Sequence, residues 1–270
     1  MKQAIKLDND VRDILVRAVV EGNVLKITEQ LDRKLYQRTN EALEAIGGTW
    51  NRKAKGHVFP GDPREAIAAA SETGTVAHPN PYDFFETGED LAERVAEELG
   101  ALPGDRILEP SVGEAALVRP IVRRLGVTPP LGTLVLVEID EKRFPALRAQ
   151  GLGAHVTQAD FLTLTPMSPI LPGGAALGLF DCIPMNPPFE KGSDTRHIAH
   201  AISFLAPGGR LVAIASAGLA FRGDKAARAL RAQISAWGGT IEELPEGSFR
   251  HAGTSVNTVL VVVDRPEGDA

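Results

Sequence analysis

Short β-rich runs alternate with helical patterns between residues 105 and 264, and no other feature of the sequence restricts the fold as strongly. Repeated strand–helix units of this kind are typical of a mostly parallel sheet that is covered by helices. The predicted strands are 106–108, 133–138, 154–157, 180–183, 210–215, 240–243 and 256–263. The predicted helices are 89–99, 115–125, 141–150, 195–205 and 225–237.

The last two predicted strands are connected differently from the others. Only the polar loop 244–255 separates them, and this loop has no room for the crossover helix that parallel neighbours need. We therefore predict an antiparallel terminal hairpin at one end of the sheet. The sequence thus predicts an α/β domain with a seven-stranded, mostly parallel sheet.

A different kind of sequence precedes this domain. Residues 1–60 predict a small α/β unit, with helices at 8–21 and 29–46, a strand at 24–27 and a hairpin whose turn carries Arg52, Lys53 and Lys55. Either this basic hairpin contacts nucleic acid, as the wing of a winged helix does, or it is a solvated charged turn. Residues 61–81 are rich in Gly, Pro, Ala and Thr, and we predict that they form a helix and a loop that link the unit to a main domain at 82–270.

Composition excludes several classes of protein. No window approaches the ~18 consecutive apolar residues of a membrane span, and the N-terminus lacks the apolar core of a secretion signal, so we expect a cytoplasmic protein without a membrane partner. The net charge of −6 argues against non-specific coating of nucleic acid, but it allows a local basic face. The single cysteine, Cys182, excludes an internal disulfide and a cysteine-cluster metal site, and we expect it to be a buried thiol.

Ligands of an open parallel sheet bind beyond the carboxyl ends of its strands, so the residues that follow each strand are candidates for a site. Glu109, Pro110, Ser111 and Gly113 follow the first strand in a turn of small residues that lets backbone approach a ligand. Taken alone, such a turn is also compatible with a simple tight strand–helix connection.

The next two strand ends carry polar and aromatic residues. Glu138, followed by Ile139, ends the second strand, where an acidic side chain can accept hydrogen bonds from both hydroxyls of a ribose. Asp160 and Phe161 follow the third strand and suit an adenine amino group and ring. Each of these residues could separately be a helix cap or a core aromatic, but their order predicts a nucleoside cofactor across three strand ends.

The fourth strand ends in Asn186-Pro187-Pro188-Phe189, which is the least expected sequence at a strand end. The prolines stiffen the backbone and fix the direction of the Pro187 carbonyl. This carbonyl and the Asn186 side-chain oxygen can accept both hydrogens of a planar amine and draw its nitrogen towards tetrahedral geometry, while Phe189 stacks on the attached ring. A nicotinamide site would instead need the Gly-x-Gly-x-x-Gly turn, so the motif favours amine methylation over hydride transfer. No metal is required.

These motifs, in this order, resemble those of the class I S-adenosylmethionine-dependent amino-methyltransferases, in particular the N6-adenine DNA methyltransferases often carried by phages and prophages. The resemblance covers residues 82–264 and includes 84–87, which are similar to the element that holds the methionine end of the cofactor. It implies a Rossmann-like, doubly wound fold, S-adenosylmethionine as cofactor, and catalysis by Asn186, Pro187, Pro188 and Phe189. The cofactor-binding residues that it implies are Phe85, Thr87, Glu109, Pro110, Ser111, Gly113, Glu138, Ile139, Asp160, Phe161 and Asn186.

The first loop departs from the pattern of this family. The family usually has Ala-Gly-x-Gly after the Pro-Ser pair, whereas this chain has Val112-Gly113-Glu114-Ala115. The second glycine is therefore replaced by alanine, and we expect cofactor binding to be weakened rather than abolished.

The resemblance implies double-stranded DNA as the partner, with the target adenine flipped into the pocket beside Asn186. Lys191, Arg196 and Arg250 lie near the motifs in sequence and are further candidates for nucleic-acid contacts. Because no long recognition segment is evident, we expect a short recognition site or a loose sequence preference. Two alternatives stay open, namely an RNA or protein-glutamine methyltransferase and a catalytically lapsed DNA-binding regulator, and the oligomeric state is not predicted.

Overall fold

The structure is a computed structural model that describes residues 4–76, 85–130, 132–249 and 256–268 of the chain. The chain divides into two compact units, Met1–Tyr82 and Asp83–Ala270. Among the described residues, no helix has both the length and the apolar character that a membrane crossing requires.

Within residues 4–76, the N-terminal unit combines three helices with short antiparallel strands. Strands β2, β3, β5 and β4 pair in that order into a four-stranded sheet, and β1 pairs with β6. In chain order the elements are β1 (Ile5–Lys6), α1 (Asn9–Arg17), β2 (Val19–Glu21), β3 (Val24–Lys26), α2 (Arg33–Ala45), β4 (Thr49–Asn51), β5 (Gly56–Val58), α3 (Arg64–Thr73) and β6 (Thr75–Val76).

The first helix is shorter than the sequence predicts. The prediction continued it over 8–21, but α1 ends at Arg17 and residues 19–21 form β2. Val19 and Val20 favour a strand because they are β-branched, and Gly22, with φ of 62°, makes the tight turn to β3. The predicted basic hairpin is confirmed as β4 and β5.

The core of the N-terminal unit draws on most of its elements. Val11 and Leu15 of α1 and Leu43 of α2 are fully buried within it. In the segment 61–81 the predicted helix is confirmed as α3, and β6 follows it; their Ile67, Ala70 and Val76 are buried in the same core.

The second unit is built on one seven-stranded sheet, with strand order β12-β13-β11-β10-β7-β8-β9. Strand β13 is antiparallel to both of its neighbours, and the other pairs are parallel, as predicted. Its elements are α4 (Glu89–Leu99), β7 (Ile107–Glu109), α5 (Val118–Leu125), β8 (Leu134–Glu138), α6 (Phe144–Ala149), β9 (His155–Gln158), β10 (Phe180–Met185), α7 (Ser193–Ile202), β11 (Leu205–Ser216), α8 (Gly218–Phe221), α9 (Lys225–Ala236), β12 (Thr240–Glu243) and β13 (Thr258–Asp264).

Several boundaries differ from the prediction for identifiable reasons. Helix α5 begins at Val118 rather than at residue 115, because Gly113 and Ala115 adopt positive φ and hold residues 113–117 in turns. Strand β11 begins at Leu205, five residues before the predicted start, and its pairing with β10 contains an irregularity between Phe180 and Cys182.

Both faces of the sheet are covered, as its apolar strands require. Along β8, Leu134 and Leu136 point into one apolar core, while Val135 and Val137 point into the other. Alternate residues of a strand face opposite sides, so a strand that is apolar at every position must be buried on both. The sheet is therefore a rigid platform for the residues that follow its strands.

Cys182 lies within β10 and is 4% exposed. Its Sγ is 3.6 Å from Asp105 Oδ2. Burial first, and then the neighbouring Asp105 carboxylate, raises the pKa of the Cys182 thiol to about 12. The side chain is thus a buried thiol, as expected.

Candidate functional site

The candidate site lies at the carboxyl edge of the sheet where strand order reverses. Strands β7 and β10 are neighbours in the sheet, although two strands, β8 and β9, separate them along the chain. Such a switch point leaves a crevice between the loops that leave the two strands. The loop after β7 and the arm after β10 carry the residues that the sequence singles out.

The loop after β7 is held close to the neighbouring strand by backbone hydrogen bonds. Val112 N donates to Val137 O at 3.1 Å, and Gly113 N donates to Glu138 Oε2 at 2.8 Å. Gly113 has φ of 56° and Ala115 has φ of 66°. The left-handed conformation at residue 115 explains why a glycine suits this position, since an L-residue is disfavoured there by roughly 1–2 kcal/mol.

Glu138 is 4% exposed and organises the end of β8. In addition to the bond from Gly113, its Oε1 accepts a hydrogen bond from Asp140 N at 2.8 Å, and Arg143 lies 3.7 Å away. Burial is the main cause that raises the pKa of Glu138. Each carboxylate oxygen can accept two hydrogen bonds, so the group retains capacity for a hydroxyl donor. The adjacent Ile139 is 37% exposed.

Glu109 connects the loop after β7 to the arm after β10. Glu109 is 1% exposed, and its carboxyl group accepts hydrogen bonds from the backbone N–H groups of Ser111, at 3.2 Å, and Asn186. Burial raises the pKa of Glu109 well above its ordinary value, and the charge of Glu138 raises it further. This contact between the two segments is not evident from the sequence, in which they are far apart.

The orientation of the Asn186 side chain is fixed by two acceptors. Its Nδ2 donates to Phe85 O at 3.1 Å and to Thr87 Oγ1 at 3.0 Å. A carbonyl oxygen can only accept, so the bond to Phe85 O assigns the amide nitrogen to that side. The opposite atom, Oδ1, is buried and has no hydrogen-bond partner within the described part of the chain. The amide therefore offers one oriented acceptor to the site.

Aromatic rings surround this amide. The rings of Phe85 and Phe189 are nearly parallel, at 10° with centroids 6.4 Å apart, and Phe249 meets Phe189 edge-on at 5.8 Å. Phe189 is 9% exposed, and Pro187 is buried while Pro188 is partly exposed. The arm after β10 is thus packed in place on its apolar side.

The residues after β9 occupy two different environments. Asp160 is exposed, and its Oδ1 caps a short 3-10 helix by accepting from Leu162 N at 3.0 Å. Phe161 is 3% exposed and packs against His200 and Phe204 at 4.9 and 5.1 Å between ring centroids. In this arrangement most of the Phe161 ring already belongs to the core.

The basic candidates lie on exposed turns. Arg52, Lys53 and Lys55 are exposed on the β4–β5 hairpin of the N-terminal unit, where Asn51 Oδ1 accepts from Lys53 N and Ala54 N. Lys191 and Arg196 are exposed in the segment that follows the Asn186 motif. Arg250 lies outside the described residues.

The structural roles of two residues, Thr87 and Asp194, were not predicted from the sequence. The hydroxyl of Thr87 accepts a hydrogen bond from the catalytic candidate Asn186, although the sequence suggests only a cofactor contact for it. Asp194 is fully buried at the start of α7, and its Oδ2 accepts from Ser216 N at 2.9 Å. Because acidic residues are common in the first turn of a helix, the contact between Asp194 and Ser216 has no specific signal in the sequence.

No protein-family model matches the sequence, and the search of curated proteins also finds no match. A modification subunit of a putative type I restriction enzyme from Vibrio vulnificus matches with a TM-score of 0.55 and 16% identity, over 86% of this chain and 53% of that chain. The M protein of the type I restriction enzyme EcoKI matches with a TM-score of 0.52 and 15% identity, over 76% of this chain and 51% of that chain.

A putative class I S-adenosylmethionine-dependent methyltransferase from Listeria monocytogenes matches with a TM-score of 0.51 and 13% identity, over 97% of this chain and 80% of that chain. The chain spans about half the length of the two restriction-modification proteins. The predicted fold is confirmed, because the chain has the Rossmann-like fold of the class I S-adenosylmethionine-dependent methyltransferases.

Proposed function

We propose that this chain, which has the class I methyltransferase fold, transfers a methyl group from S-adenosylmethionine to the exocyclic N6 amine of adenine in double-stranded DNA. The observation that carries the proposal is the Asn186 amide. Phe85 O and Thr87 Oγ1 accept hydrogen bonds from its Nδ2, whereas its buried Oδ1 has no partner among the described residues. A buried acceptor without a donor is costly, by about 1–3 kcal/mol, and a substrate N–H group would remove this cost.

The amine of adenine is a poor nucleophile because its lone pair is delocalised into the ring. In this proposal Asn186 Oδ1 and the Pro187 carbonyl accept its two hydrogens, which localises the lone pair on nitrogen. Because Phe85 and Thr87 hold the amide in advance, little reorganisation is needed during reaction. A bound sulfonium cofactor would supply the methyl group to this nitrogen, with the carbon–sulfur bond as the bond that breaks, and the nitrogen would then release one proton to water.

The residues present fit S-adenosylmethionine. This cofactor, when bound, supplies an electrophilic methyl group on a sulfonium. Glu138 has acceptor capacity for ribose hydroxyls, and the small-residue turn at Ser111–Gly113 lets backbone come close to the methionine end. Asp160 is exposed and offers a carboxylate to an adenine amino group. The left-handed Ala115 is the one position in this loop that we expect to weaken the fit.

Double-stranded DNA is proposed from two lines of support. The modification subunits of type I restriction enzymes share the fold, and the chain places exposed cations on the β4–β5 hairpin and next to the Asn186 motif. Adenine within a duplex cannot reach a buried amide, so the proposal includes flipping of the target base, which costs a few kcal/mol. Phosphate contacts from Arg52, Lys53, Lys55, Lys191, Arg196 and Arg250 would offset this cost.

The test is to identify the methylated product. The protein is incubated with S-adenosylmethionine carrying an isotopically labelled methyl group and, in separate reactions, with plasmid DNA, total RNA or a protein extract. We expect labelled N6-methyladenine after hydrolysis of the DNA, and little label in the other two reactions. Label found only in RNA or in glutamine side chains would overturn the proposed substrate, and no label in any reaction, together with no cofactor binding at millimolar concentration, would favour a lapsed enzyme.

A further inference from the structure

The side chain of Phe221 projects from the second unit into solvent. It is the last residue of the short helix α8 and is 76% exposed. A single exposed apolar side chain needs no explanation by itself, since many proteins carry them. Three further observations distinguish Phe221, namely how its helix is braced, where that helix stands, and which charges surround it.

The segment that presents Phe221 is held by buried groups. The Arg222 guanidinium donates to Thr195 Oγ1 and lies 3.5 Å from Asp194 Oδ1, while Asp194 Oδ2 accepts from the Ser216 backbone at 2.9 Å. Asp194 is fully buried and Thr195 is 1% exposed, so this network joins the start of α7 to the end of β11.

A second set of hydrogen bonds connects α8 to α9. Arg231 of α9 donates to Leu219 O at 2.8 Å and to Arg222 O at 2.9 Å, which satisfies carbonyls at the end of the short helix. The backbone that carries Phe221 is therefore fixed from both α7 and α9. An exposed ring on a fixed backbone suits binding because little conformational entropy is lost when a partner covers it.

The position of α8 relates Phe221 to the acceptor amide. Strands β10 and β11 are parallel neighbours, and Met185, which precedes Asn186, pairs with Ala213. Strand β11 continues to Ser216, three residues beyond that pair, before α8 begins. Asn186 is one residue beyond Met185, so β11 extends about two strand residues, or roughly 7 Å, past the level of Asn186, and α8 begins beyond that point. A duplex that delivers a base inward to Asn186 must itself remain on this outer side.

The loops around Phe221 are basic in an otherwise acidic protein. Residues 190–196 and 216–231 together carry six Lys or Arg and three Asp or Glu, while the whole chain has a net charge of −6. Lys191 has an 86% exposed side chain. The neighbouring Gly192 lies beside the Arg222 guanidinium, so Lys191 and Phe221 belong to the same part of the surface. Lys225 and Arg228 are exposed on the first turns of α9. The charge of this surface complements a phosphate backbone.

We propose that Phe221 inserts into the base stack of duplex DNA beside the target adenine and occupies the space that the flipped base leaves. Apolar side chains are used in this way to separate neighbouring bases, and stacking of a base on an aromatic ring is favourable. Such stacking would offset part of the cost of flipping a base. The inference rests on the proposed function, and it adds a residue whose effect depends on whether the substrate is a duplex.

The test compares a duplex with a single strand as substrate. Methyl transfer by the wild type, Phe221→Ala and Phe221→Trp is measured with plasmid DNA and with the same DNA after heat denaturation. Because a single strand needs no wedge, we expect Phe221→Ala to lower kcat/KM by about 10–100-fold on the duplex, from the stacking energy, and by less than about twofold on the single strand. Phe221→Trp should retain most duplex activity. Met167→Ala is the matched control, since Met167 is 78% exposed in the loop before β10 and should affect neither substrate.

The outcomes separate this inference from the proposed function. Wild-type protein that methylates neither DNA preparation overturns the proposed function. Wild-type protein that methylates both, with Phe221→Ala reduced equally on both or on neither, overturns the wedge and leaves the proposed function in place. A loss confined to the duplex, with rescue by Phe221→Trp, supports both.

Discussion

The loop after β7 and the arm after β10 lie beside each other at the switch point of the sheet, but their shapes are determined in different ways. The loop depends on backbone conformations, and one of these, the positive φ of Ala115, is unfavourable for the residue present. The arm depends on side-chain hydrogen bonds from Asn186 to Phe85 and Thr87, which suit the residues present. We infer that the acceptor side of the site is already well adapted, whereas the cofactor side can be improved by a single substitution.

The largest effect is expected from removing the acceptor amide. Asn186→Ala should lower kcat by about 10²–10³-fold, which is the usual loss when one preorganised hydrogen-bonding group is removed from an active site. Cofactor affinity, measured by calorimetry, should fall much less than kcat, because the variant keeps Glu138 and the loop after β7. Asn257→Ala, at an exposed asparagine of the same unit, is the control. Equal losses in kcat and in cofactor affinity would contradict a role confined to the acceptor.

A smaller effect is expected when the amide is kept but loses one support. Thr87→Val removes the hydroxyl that accepts from Asn186 Nδ2, at the cost of one hydrogen bond of about 1 kcal/mol, so we expect kcat to fall by about fivefold. Thr87→Ser keeps the hydroxyl and should restore the rate in steady-state assays. If the serine variant is as slow as the valine variant, the hydrogen bond is not the cause.

A substitution in the loop after β7, on the cofactor side of the site, should raise stability and cofactor affinity rather than lower them. Ala115→Gly removes a Cβ from a residue with φ of 66°, so we expect the free energy of unfolding to rise and the cofactor Kd to fall, each by up to about 1 kcal/mol or fivefold. Calorimetry and thermal unfolding measure the two effects. Ala116→Gly is the matched control, because residue 116 does not have a positive φ and glycine should gain nothing there. Weaker cofactor binding by Ala115→Gly would contradict our account of the loop.

The smallest effect concerns Glu109, which contacts both segments. Its folded-state pKa is raised, mainly by burial, so the folded protein binds more protons than the unfolded chain above pH 4.5, and stability falls as pH rises towards the folded-state pKa. Glu109→Gln cannot ionise, so its melting temperature relative to wild type should increase by a few degrees between pH 5 and pH 8. Glu114→Gln, at an exposed residue of the same loop, is the matched control. A difference that is constant over this pH range would exclude ionisation of Glu109 as its cause.

Much of the fold follows from the sequence because strand burial leaves a direct pattern. Helix α4 and strand β12 match their predicted bounds, since each carries a complete local signal. The predicted start of α5 and the predicted end of α1 were wrong. The positive φ of Ala115 depends on tertiary contacts, and the tight turn after β2 depends on the single residue Gly22. The hydrogen bonds of Asn186 to Phe85 and Thr87 join residues about a hundred positions apart, and periodicity gives no information on such contacts.

The burial of Cys182 has a practical consequence. A thiol with a pKa of about 12 is almost wholly protonated at neutral pH and reacts slowly with maleimides, and this is the single cysteine of the chain. A new cysteine at an exposed position such as Met167 would therefore be labelled selectively without first removing the native one. Fluorescent dyes or spin labels can be attached at one chosen site while the interior of the sheet stays unaltered.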